Sequence, residues 1–241
     1  MSTPNTSIPV LFEDNHVLAV VKPVNIPSQE DNTGDPDMLT LLKADLKERH
    51  NKPGNVFLGL VHRLDRPVGG AMVFAKTSKA ASRLSETVRS RSMIKQYAAV
   101  VRGVPARTQG TLKDTLLKDS RTNTVAVVKP GTAGGKDAVL DYEVIASTGE
   151  LSLVLIHLHT GRSHQIRVQM AHSGHPLYGD QKYGADVNSK GEQLALWSVC
   201  TGIPHPVSKE MMTFVSLPPR TRPWTQWNEA VYEQIRVQLG E

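Results

Sequence analysis

Cysteine is nearly absent from this chain of 241 residues, which has only Cys200. One cysteine cannot form an internal disulfide, so the sequence excludes a disulfide-stapled secreted domain and favours a reducing compartment. No apolar run approaches the roughly 18 residues that a membrane span needs. The first residues lack the basic and then apolar order of a signal peptide. We therefore expect a cytoplasmic protein that does not enter a membrane.

Neither sign of charge dominates the sequence. It has 28 Lys+Arg against 23 Asp+Glu, which gives a formal net charge of +5, and no block consists of lysine and arginine alone. A modest basic excess fits a folded surface that contacts a polyanion such as nucleic acid, although many metabolic enzymes are equally basic. Hydrophobic residues make up 39% of the chain, which is enough for a buried core and excludes a disordered, collagen-like or coiled-coil protein.

Strand-like and helix-like segments alternate after a polar stretch, residues 1–7, that we expect to be a flexible tail. Strands are predicted at residues 10–12, 16–21, 70–76, 93–102, 138–145 and 151–158, the last apolar on both faces as in a central strand. Helices are predicted at 38–52, from an N-cap at Ser78 to 88, at 163–172 and at 224–239. Residues 106–137 predict short strands and loops. Without a long linker, residues 8–241 are predicted to form one mixed α/β domain.

The first candidate site is the segment 61–67, which precedes the predicted strand at 70–76. Asp65 lies between Arg63 and Arg66, and a proline and two glycines follow. A loop of this kind can present an ionised, oriented carboxylate at a cleft. A surface loop of ion pairs explains the same residues, so the segment alone leaves both interpretations open.

The second candidate site is the turn and helix at residues 160–167. His164 and Arg167 are three residues apart and are predicted to share a helical face, whereas Ile166 and Met170 are four apart on a face that can pack inward. Arg167 could then reach a carboxylate elsewhere in the fold. The alternative is an amphipathic helix with a solvated polar face.

Neither a metal nor a cofactor is predicted. Five histidines fall between His157 and His175, but the spacing fits no zinc motif, no cysteine pair is present, and Asp180 is the first acidic residue near them. Residues 131–137, GTAGGKD, lack the spacing and the hydroxyl residue of a phosphate-binding loop. The sequence also contains no dinucleotide-binding fingerprint and no hydrolase nucleophile elbow.

Three ordered motifs resemble the pseudouridine synthases of the RluA type. Residues 62–70, HRLDRPVGG, are similar to that family's His-Arg-Leu-Asp-x-x-Thr-Ser-Gly signature; residues 95–103, KQYAAVVRG, and 158–167, LHTGRSHQIR, are similar to two further motifs. The resemblance implies a mixed α/β (α+β) catalytic domain with a mainly antiparallel central sheet, flanking helices and an RNA-binding cleft across it. It also implies a member without the extra N-terminal RNA-binding domain, because the fold is predicted to start near residue 8.

The resemblance implies that uridine within ribosomal or transfer RNA is isomerised to pseudouridine, without cofactor or metal, by a monomer. Asp65 would attack the ribose C1′ or remove the C2′ proton, and these routes stay open. Arg167 would pair with Asp65 and lower its pKa, and Tyr97 would stack on the target base.

The remaining site residues implied by the resemblance fall into two groups. Arg63 would fill the space that the extruded base leaves, or hold the neighbouring phosphate. Residues expected to contact RNA are Arg63, Arg66, Arg162, His164, Arg83, Arg89, Arg91 and Lys95. Supporting and apolar wall residues are His62, Leu64 and Ile166. Val68 and Gly69 stand where the family has Thr-Ser, which leaves the catalytic side chains unchanged. A catalytically silent RNA-binding protein is the main alternative, and a metal-dependent hydrolase ranks far below it.

Overall fold

The computed structural model describes residues 8–240, so the predicted tail at residues 1–7 lies outside the described residues. The strands in chain order are β1 (Val10–Glu13), β2 (Val17–Lys22), β3 (Gly59–Leu60), β4 (Gly69–Ala75), β5 (Ile94–Arg102), β6 (Gln109–Asp119), β7 (Thr124–Val128), β8 (Lys136–Ser147), β9 (Leu151–Leu158), β10 (Leu196–Pro204) and β11 (Met211–Val215). The helices are α1 (Met38–Arg49), α2 (Ser78–Arg89), α3 (Gln165–His172) and α4 (Glu229–Leu239).

The chain forms two compact units. The first contains the residues up to Met93 together with Cys200–Ser216, and the second contains Ile94–Val199 and the residues from Leu217 onward. Strand β10 contributes its first residues to the second unit and its last to the first. None of the described helices is long and apolar enough to cross a membrane.

In the first unit, β2 lies between β1 and β4 and pairs with both in the antiparallel direction. Every residue of β4 is buried, which explains the uninterrupted apolar run in the sequence. Helix α2 packs Ala80 and Leu84 into this unit's core. Its N-cap is Thr77, whose hydroxyl oxygen accepts a hydrogen bond from the Ala80 N–H, so the prediction of Ser78 as N-cap is wrong by one residue.

In the second unit, strand β9 lies between β5 and β8, and both pairings are antiparallel. Seven of the eight β9 residues are buried, which confirms the prediction of a central strand. Strand β6 is 11 residues long and pairs with β8 along its first part and with β7 along its last. The prediction of short strands and loops at 106–137 is therefore wrong for β6, which pairing first with β8 and then with β7 holds extended, and is confirmed for the five-residue β7.

Helix α3 begins after His164, whose backbone is left-handed with a φ of 52°. The predicted helix start at residue 163, and the shared helical face of His164 and Arg167, are therefore wrong, because a left-handed residue ends the helical ladder. Ile166 and Met170 are 4% and 1% exposed, which confirms that they pack inward. The predicted C-terminal helix is divided into a 3-10 turn (Trp224–Gln226) and α4, whose N-cap is Asn228.

Candidate functional site

In the first unit, Asp65 lies on the loop between β3 and β4 and is half-buried. Its chain neighbours Leu64 and Val68 are 5% and 2% exposed, so apolar burial anchors the loop on both sides of the carboxylate. The Val68 N–H donates to the Asp65 carbonyl at 2.9 Å and closes a tight turn. The loop thus has a defined backbone, as the sequence predicts for an oriented carboxylate.

The segment after β2 clamps the Asp65 loop. The Ser28 hydroxyl donates to the Leu64 carbonyl at 2.7 Å and accepts from the Leu64 N–H at 3.1 Å. The Asn25 N–H donates to the Arg66 carbonyl at 2.8 Å. Backbone groups on each side of Asp65 are therefore fixed by partners about 40 residues earlier in the chain.

Lys22, at the end of β2, is a site residue that sequence reasoning missed. Its side chain is fully buried, and its Nζ donates to the carbonyls of Pro23 at 3.0 Å, Arg66 at 3.1 Å and Val68 at 2.7 Å. Burial lowers the pKa of Lys22 to about 7, against the opposing attraction of the Asp65 charge. The sequence does contain a signal that could have identified Lys22: it is a lysine at the end of an apolar strand, directly before a proline.

Three other residues of the HRLDRP segment have different surroundings. The His62 Nε2 accepts from the Val73 N–H at 2.9 Å, which ties the loop to β4. Arg63 is exposed and donates to the Gln29 side chain at 3.3 Å. Arg66 pairs with the carboxylates of Asp31 and Asp35 on the preceding loop. The arginines that flank Asp65 therefore face solvent-exposed partners, as the surface-loop interpretation expected for them.

In the second unit, Arg167 is buried within α3 and pairs with Asp180, a residue that the sequence analysis did not assign to the site. Arg167 Nε lies 2.7 Å from Asp180 Oδ2, and Nη2 lies 2.8 Å from Oδ1. Burial alone would raise the pKa of Asp180, but hydrogen bonds from Arg167 and its positive charge outweigh burial and lower it. The alternative prediction, an amphipathic helix whose polar face is solvated, is therefore wrong for Arg167.

Tyr97 lies on β5 opposite Ile156 of β9 and is 8% exposed. Lys95, two residues earlier on β5, approaches Gly161: a Cβ at that glycine would lie 3.4 Å from the lysine Nζ. This distance is an ordinary van der Waals contact, so Lys95 and Gly161 are close neighbours. Residues of the second and third motifs therefore lie close together, and the RNA contact of Lys95 stays a prediction.

The other predicted RNA-contact residues belong to both units and have different surroundings. In the second unit, Arg162 Nε donates to the Asp137 carbonyl at 2.9 Å, and His164 Nδ1 lies 2.6 Å from the Tyr183 hydroxyl. In the first unit, Arg83 donates to the Pro206 carbonyl at 2.7 Å. Arg89 pairs with Glu86 and is 79% exposed, and Arg91 is also exposed.

His157, in β9, and His159, directly after the strand, belong to a small polar cluster. His159 Nε2 lies 2.6 Å from Asp141 Oδ2, and the His157 and His159 rings are 4.9 Å apart. Burial and the neighbouring His159 lower the pKa of His157. Between residues 8 and 240, no group of three or more His, Cys, Asp or Glu side chains could hold a metal ion.

Comparisons with known proteins agree on one family. The model of the family described as RNA pseudouridylate synthase matches residues 16–172. A Bacillus subtilis protein named uncharacterized RNA pseudouridine synthase YhcT is 35% identical over 205 residues, which cover 84% of this chain and 66% of that protein. The Haemophilus influenzae ribosomal large subunit pseudouridine synthase D is 32% identical, with 86% of this chain and 66% of that protein covered. The chain thus spans 66% of the length of these two relatives.

Solved structures are similar as well. The structure of human RNA pseudouridylate synthase domain containing 4 matches with a TM-score of 0.74 and 25% identity over 88% of this chain and 89% of that one. The structure of human RNA pseudouridylate synthase domain containing 1 matches with a TM-score of 0.72 over 98% of each chain. This likeness confirms the predicted mixed α/β fold.

Proposed function

Because this chain belongs to the RNA pseudouridylate synthase family, we propose that it is an RNA pseudouridine synthase, an isomerase that converts uridine within RNA to pseudouridine. The relatives confirm the predicted resemblance to the RluA type. The observation that carries the proposal is the fixed Asp65 loop: Lys22, Ser28 and Asn25 hold backbone groups around Asp65, and a half-buried carboxylate on a fixed backbone is suited to act on a bound nucleotide.

The proposed reaction breaks the bond from ribose C1′ to N1 of the base, turns the base, and joins C5 to C1′. The C5 proton leaves as the new bond forms, and N1 takes up a proton, so atoms and electrons balance without an oxidant or reductant. Asp65 acts as an ionised carboxylate, either by attack on C1′ or by removal of the C2′ proton. No cofactor or metal takes part in this scheme.

Tyr97 and Arg167 receive their roles from the resemblance of their motifs. Tyr97, on a central strand and almost fully buried, is proposed to stack on the target base. Arg167 is proposed to contribute its positive charge to catalysis, as the resemblance of its motif implies. The target uridine must leave its base stack before the enzyme can reach it. This unstacking costs a few kcal/mol, and the cost is lowest for a uridine in an RNA loop.

Ribosomal RNA is the first substrate to test, and transfer RNA is the second. The Haemophilus influenzae relative is named for the large ribosomal subunit. Arg63, exposed beside Asp65, is proposed to fill the space that the extruded base leaves or to hold the neighbouring phosphate. The exposed Arg89 and Arg91 are proposed to attract the RNA backbone.

The test is release of tritium from RNA labelled at uridine C5, with a chelator present. We expect the wild-type protein to release tritium, and Asp65→Asn to be slower by at least about 1,000-fold while it still binds RNA. Asp45→Asn makes the same chemical change on the exposed face of α1 and should have the wild-type rate. Binding by the wild type without release from either RNA would favour the catalytically silent RNA-binding protein instead.

A further inference from the structure

The turn between β10 and β11, in the first unit, carries a lysine in a backbone conformation that glycine adopts more easily. Lys209 has a φ of 69°, which lies in the left-handed region. A Cβ crowds the neighbouring carbonyl in this region, so most residues other than glycine adopt it only at a cost in folding free energy. Lys209 is exposed. Burial in a core therefore does not explain why this position carries a long side chain.

The rest of this turn is held by hydrogen bonds. The His205 N–H donates to the Glu210 carbonyl at 2.8 Å, and the Lys209 N–H donates to the His205 carbonyl at 3.0 Å. The His205 Nδ1 accepts from the Ser208 N–H at 3.0 Å, and its Nε2 lies 2.9 Å from Asp14 Oδ2. The backbone from which the Lys209 side chain extends is therefore fixed.

A second cation reaches the same turn from helix α2. Arg83 Nη1 donates to the Pro206 carbonyl at 2.7 Å, and Lys209 Nζ lies 3.4 Å from the same oxygen. Because both distances share one atom, the two cationic nitrogens are at most about 6 Å apart. Two like charges at this separation repel each other, and one neutral carbonyl cannot neutralise both.

Neither of these cations has an acidic partner. Within residues 8–240, no aspartate or glutamate forms an ion pair with Arg83 or Lys209. Glu86, three residues after Arg83 on α2, pairs with Arg89 instead. A guanidinium has five N–H donors and an ammonium three, so both groups keep donors beyond the bond to Pro206. Two convergent cations with donors to spare and no internal counter-charge are suited to bind an oxyanion.

We propose that Arg83 and Lys209 together bind one phosphate of the RNA backbone. This inference rests on the proposed function, in which the substrate is RNA, and it adds Lys209, to which the sequence motifs give no role. The two non-bridging oxygens of a phosphodiester accept from both cations at once, and the phosphate charge offsets their repulsion. The site holds the RNA backbone and does not read its bases.

Other cations of α2 favour a polyanion over a free phosphate ion. Lys79 lies four residues before Arg83, and Arg89 lies six residues after it; all three are exposed. At a rise of about 1.5 Å per residue, these cations span about 15 Å along the helix. A single phosphate ion is too small to contact the whole span, whereas an RNA backbone presents negative charges along it.

The first test compares RNA binding by variants of Lys209. Lys209→Gly removes the charge and suits the left-handed backbone, so we expect urea unfolding at or above the wild-type midpoint. Its affinity for ribosomal RNA, in filter binding at about 0.1 M salt, should fall at least about threefold, and the slope of log affinity against log salt should fall by about 0.7. Lys209→Arg keeps the charge and should keep the affinity within about twofold.

Two controls separate the charge at this position from its backbone and from net charge. Asn51→Gly changes another left-handed residue of the first unit, with a φ of 48°, and removes no charge. Lys52→Ala removes one exposed charge elsewhere in the same unit. Both should keep the wild-type affinity and slope. Wild-type affinity in Lys209→Gly, or an equal loss in Lys209→Arg, would overturn the proposal.

A double-mutant cycle tests whether the two cations share one phosphate. Arg83→Gln alone should also weaken RNA binding at least about threefold. Because each single variant already disrupts the same contact, Arg83→Gln/Lys209→Gly should lose less affinity than the product of the two single losses. Losses that multiply would show two separate contacts and would overturn the shared site.

Turnover separates this site from the proposed function. Lys209→Gly should keep the wild-type kcat for tritium release, with KM raised at least about threefold. A wild type that binds RNA without tritium release would overturn the proposed function, whereas wild-type KM and affinity in Lys209→Gly would overturn this site alone. Titration calorimetry with inorganic phosphate provides the last arm. Phosphate binding that is lost in Lys209→Gly while RNA affinity is unchanged would assign the site to a free anion and overturn the RNA contact.

Discussion

At the scale of single residues, the buried Lys22 bonds to the loop that carries Asp65, the proposed catalytic residue. Two of its three acceptor carbonyls, those of Arg66 and Val68, belong to the Asp65 loop. A protonated amino group has three hydrogens, which match the three acceptors. Removal of the side chain would leave the carbonyls of Arg66 and Val68, which both follow Asp65, without this donor, at a cost of about 1 to 3 kcal/mol for each buried group.

We expect Lys22→Met to lower the free energy of unfolding by about 3 kcal/mol and kcat by at least about tenfold. The loss of kcat follows from the released Arg66 and Val68 carbonyls, which would let Asp65 move. Urea unfolding and steady-state tritium release measure the two effects.

Lys76→Met is the matched control for this prediction. Lys76 is also mostly buried and binds Glu13, but it follows the last residue of β4, whereas the Asp65 loop precedes the first. The Lys76→Met variant should have a lower free energy of unfolding than the wild type but the same kcat. If both lysine variants lost kcat equally at equal stability, the anchoring role of Lys22 would be wrong.

At the scale of elements, one carboxylate joins three parts of the first unit. Glu13 ends β1, and its oxygens bind Arg49 and His50 at the end of α1 and Lys76 beyond β4. Burial would raise the pKa of Glu13, but the hydrogen bonds from Lys76, Arg49 and His50 lower it to about 2. The ionised form is therefore stabilised by folding.

The sign of the pH effect follows from this lowered pKa. The folded pKa of about 2 lies below the ordinary value of 4.5, so the stabilisation is complete above pH 4.5 and is lost as the pH falls toward 2. We expect Glu13→Gln to remove about 3 kcal/mol of unfolding free energy at neutral pH. The difference from wild type should shrink between pH 4.5 and 2 in denaturant titrations.

The control for Glu13 is Glu86→Gln on the exposed face of α2. Glu86 pairs with Arg89 in water, and exposed pairs contribute about 1 kcal/mol or less. The unfolding free energy of Glu86→Gln should therefore depend on pH in the same way as that of the wild type. The difference in unfolding free energy between Glu13→Gln and the wild type could instead stay constant from neutral to acid pH. That result would show that the contacts of Glu13 with Arg49, His50 and Lys76 do not depend on its charge.

At the scale of the whole molecule, the net charge of +5 is spread over both units and not concentrated in one block. Many of these cations are already paired within the protein, as Arg66, Arg102 and Arg167 show. The proposed RNA contacts at Arg89 and Arg91 are exposed. Because counterion release depends on phosphate contacts and not on net charge, position decides the effect of each cation.

We expect RNA affinity to fall steeply with salt concentration, and Arg89→Ala/Arg91→Ala to reduce the slope of log affinity against log salt by about 1.5. Lys47→Ala/Lys52→Ala makes the same change in net charge at exposed residues of the first unit and should keep the slope. Filter binding over a range of salt concentrations measures both. A wild-type affinity independent of salt would contradict the assignment.

The sequence by itself determined the family, most strands and helices, and the motif that contains Asp65, because these depend on local periodicity and on residues adjacent in the chain. It also indicated that Ile166 and Met170 pack inward. The roles of Tyr97, Arg167 and the RNA-contact residues stay predictions.

Only the tertiary structure decided which residues support the site. Lys22 reaches carbonyls 44 and 46 residues later, and Asp180 lies 13 residues after Arg167, so no local pattern marks these contacts. The left-handed backbone of His164, and the extended path of the polar strand β6, are likewise outside what propensity indicates. In each case the deciding energy comes from burial and hydrogen bonding between distant segments, which appear only when the chain has folded.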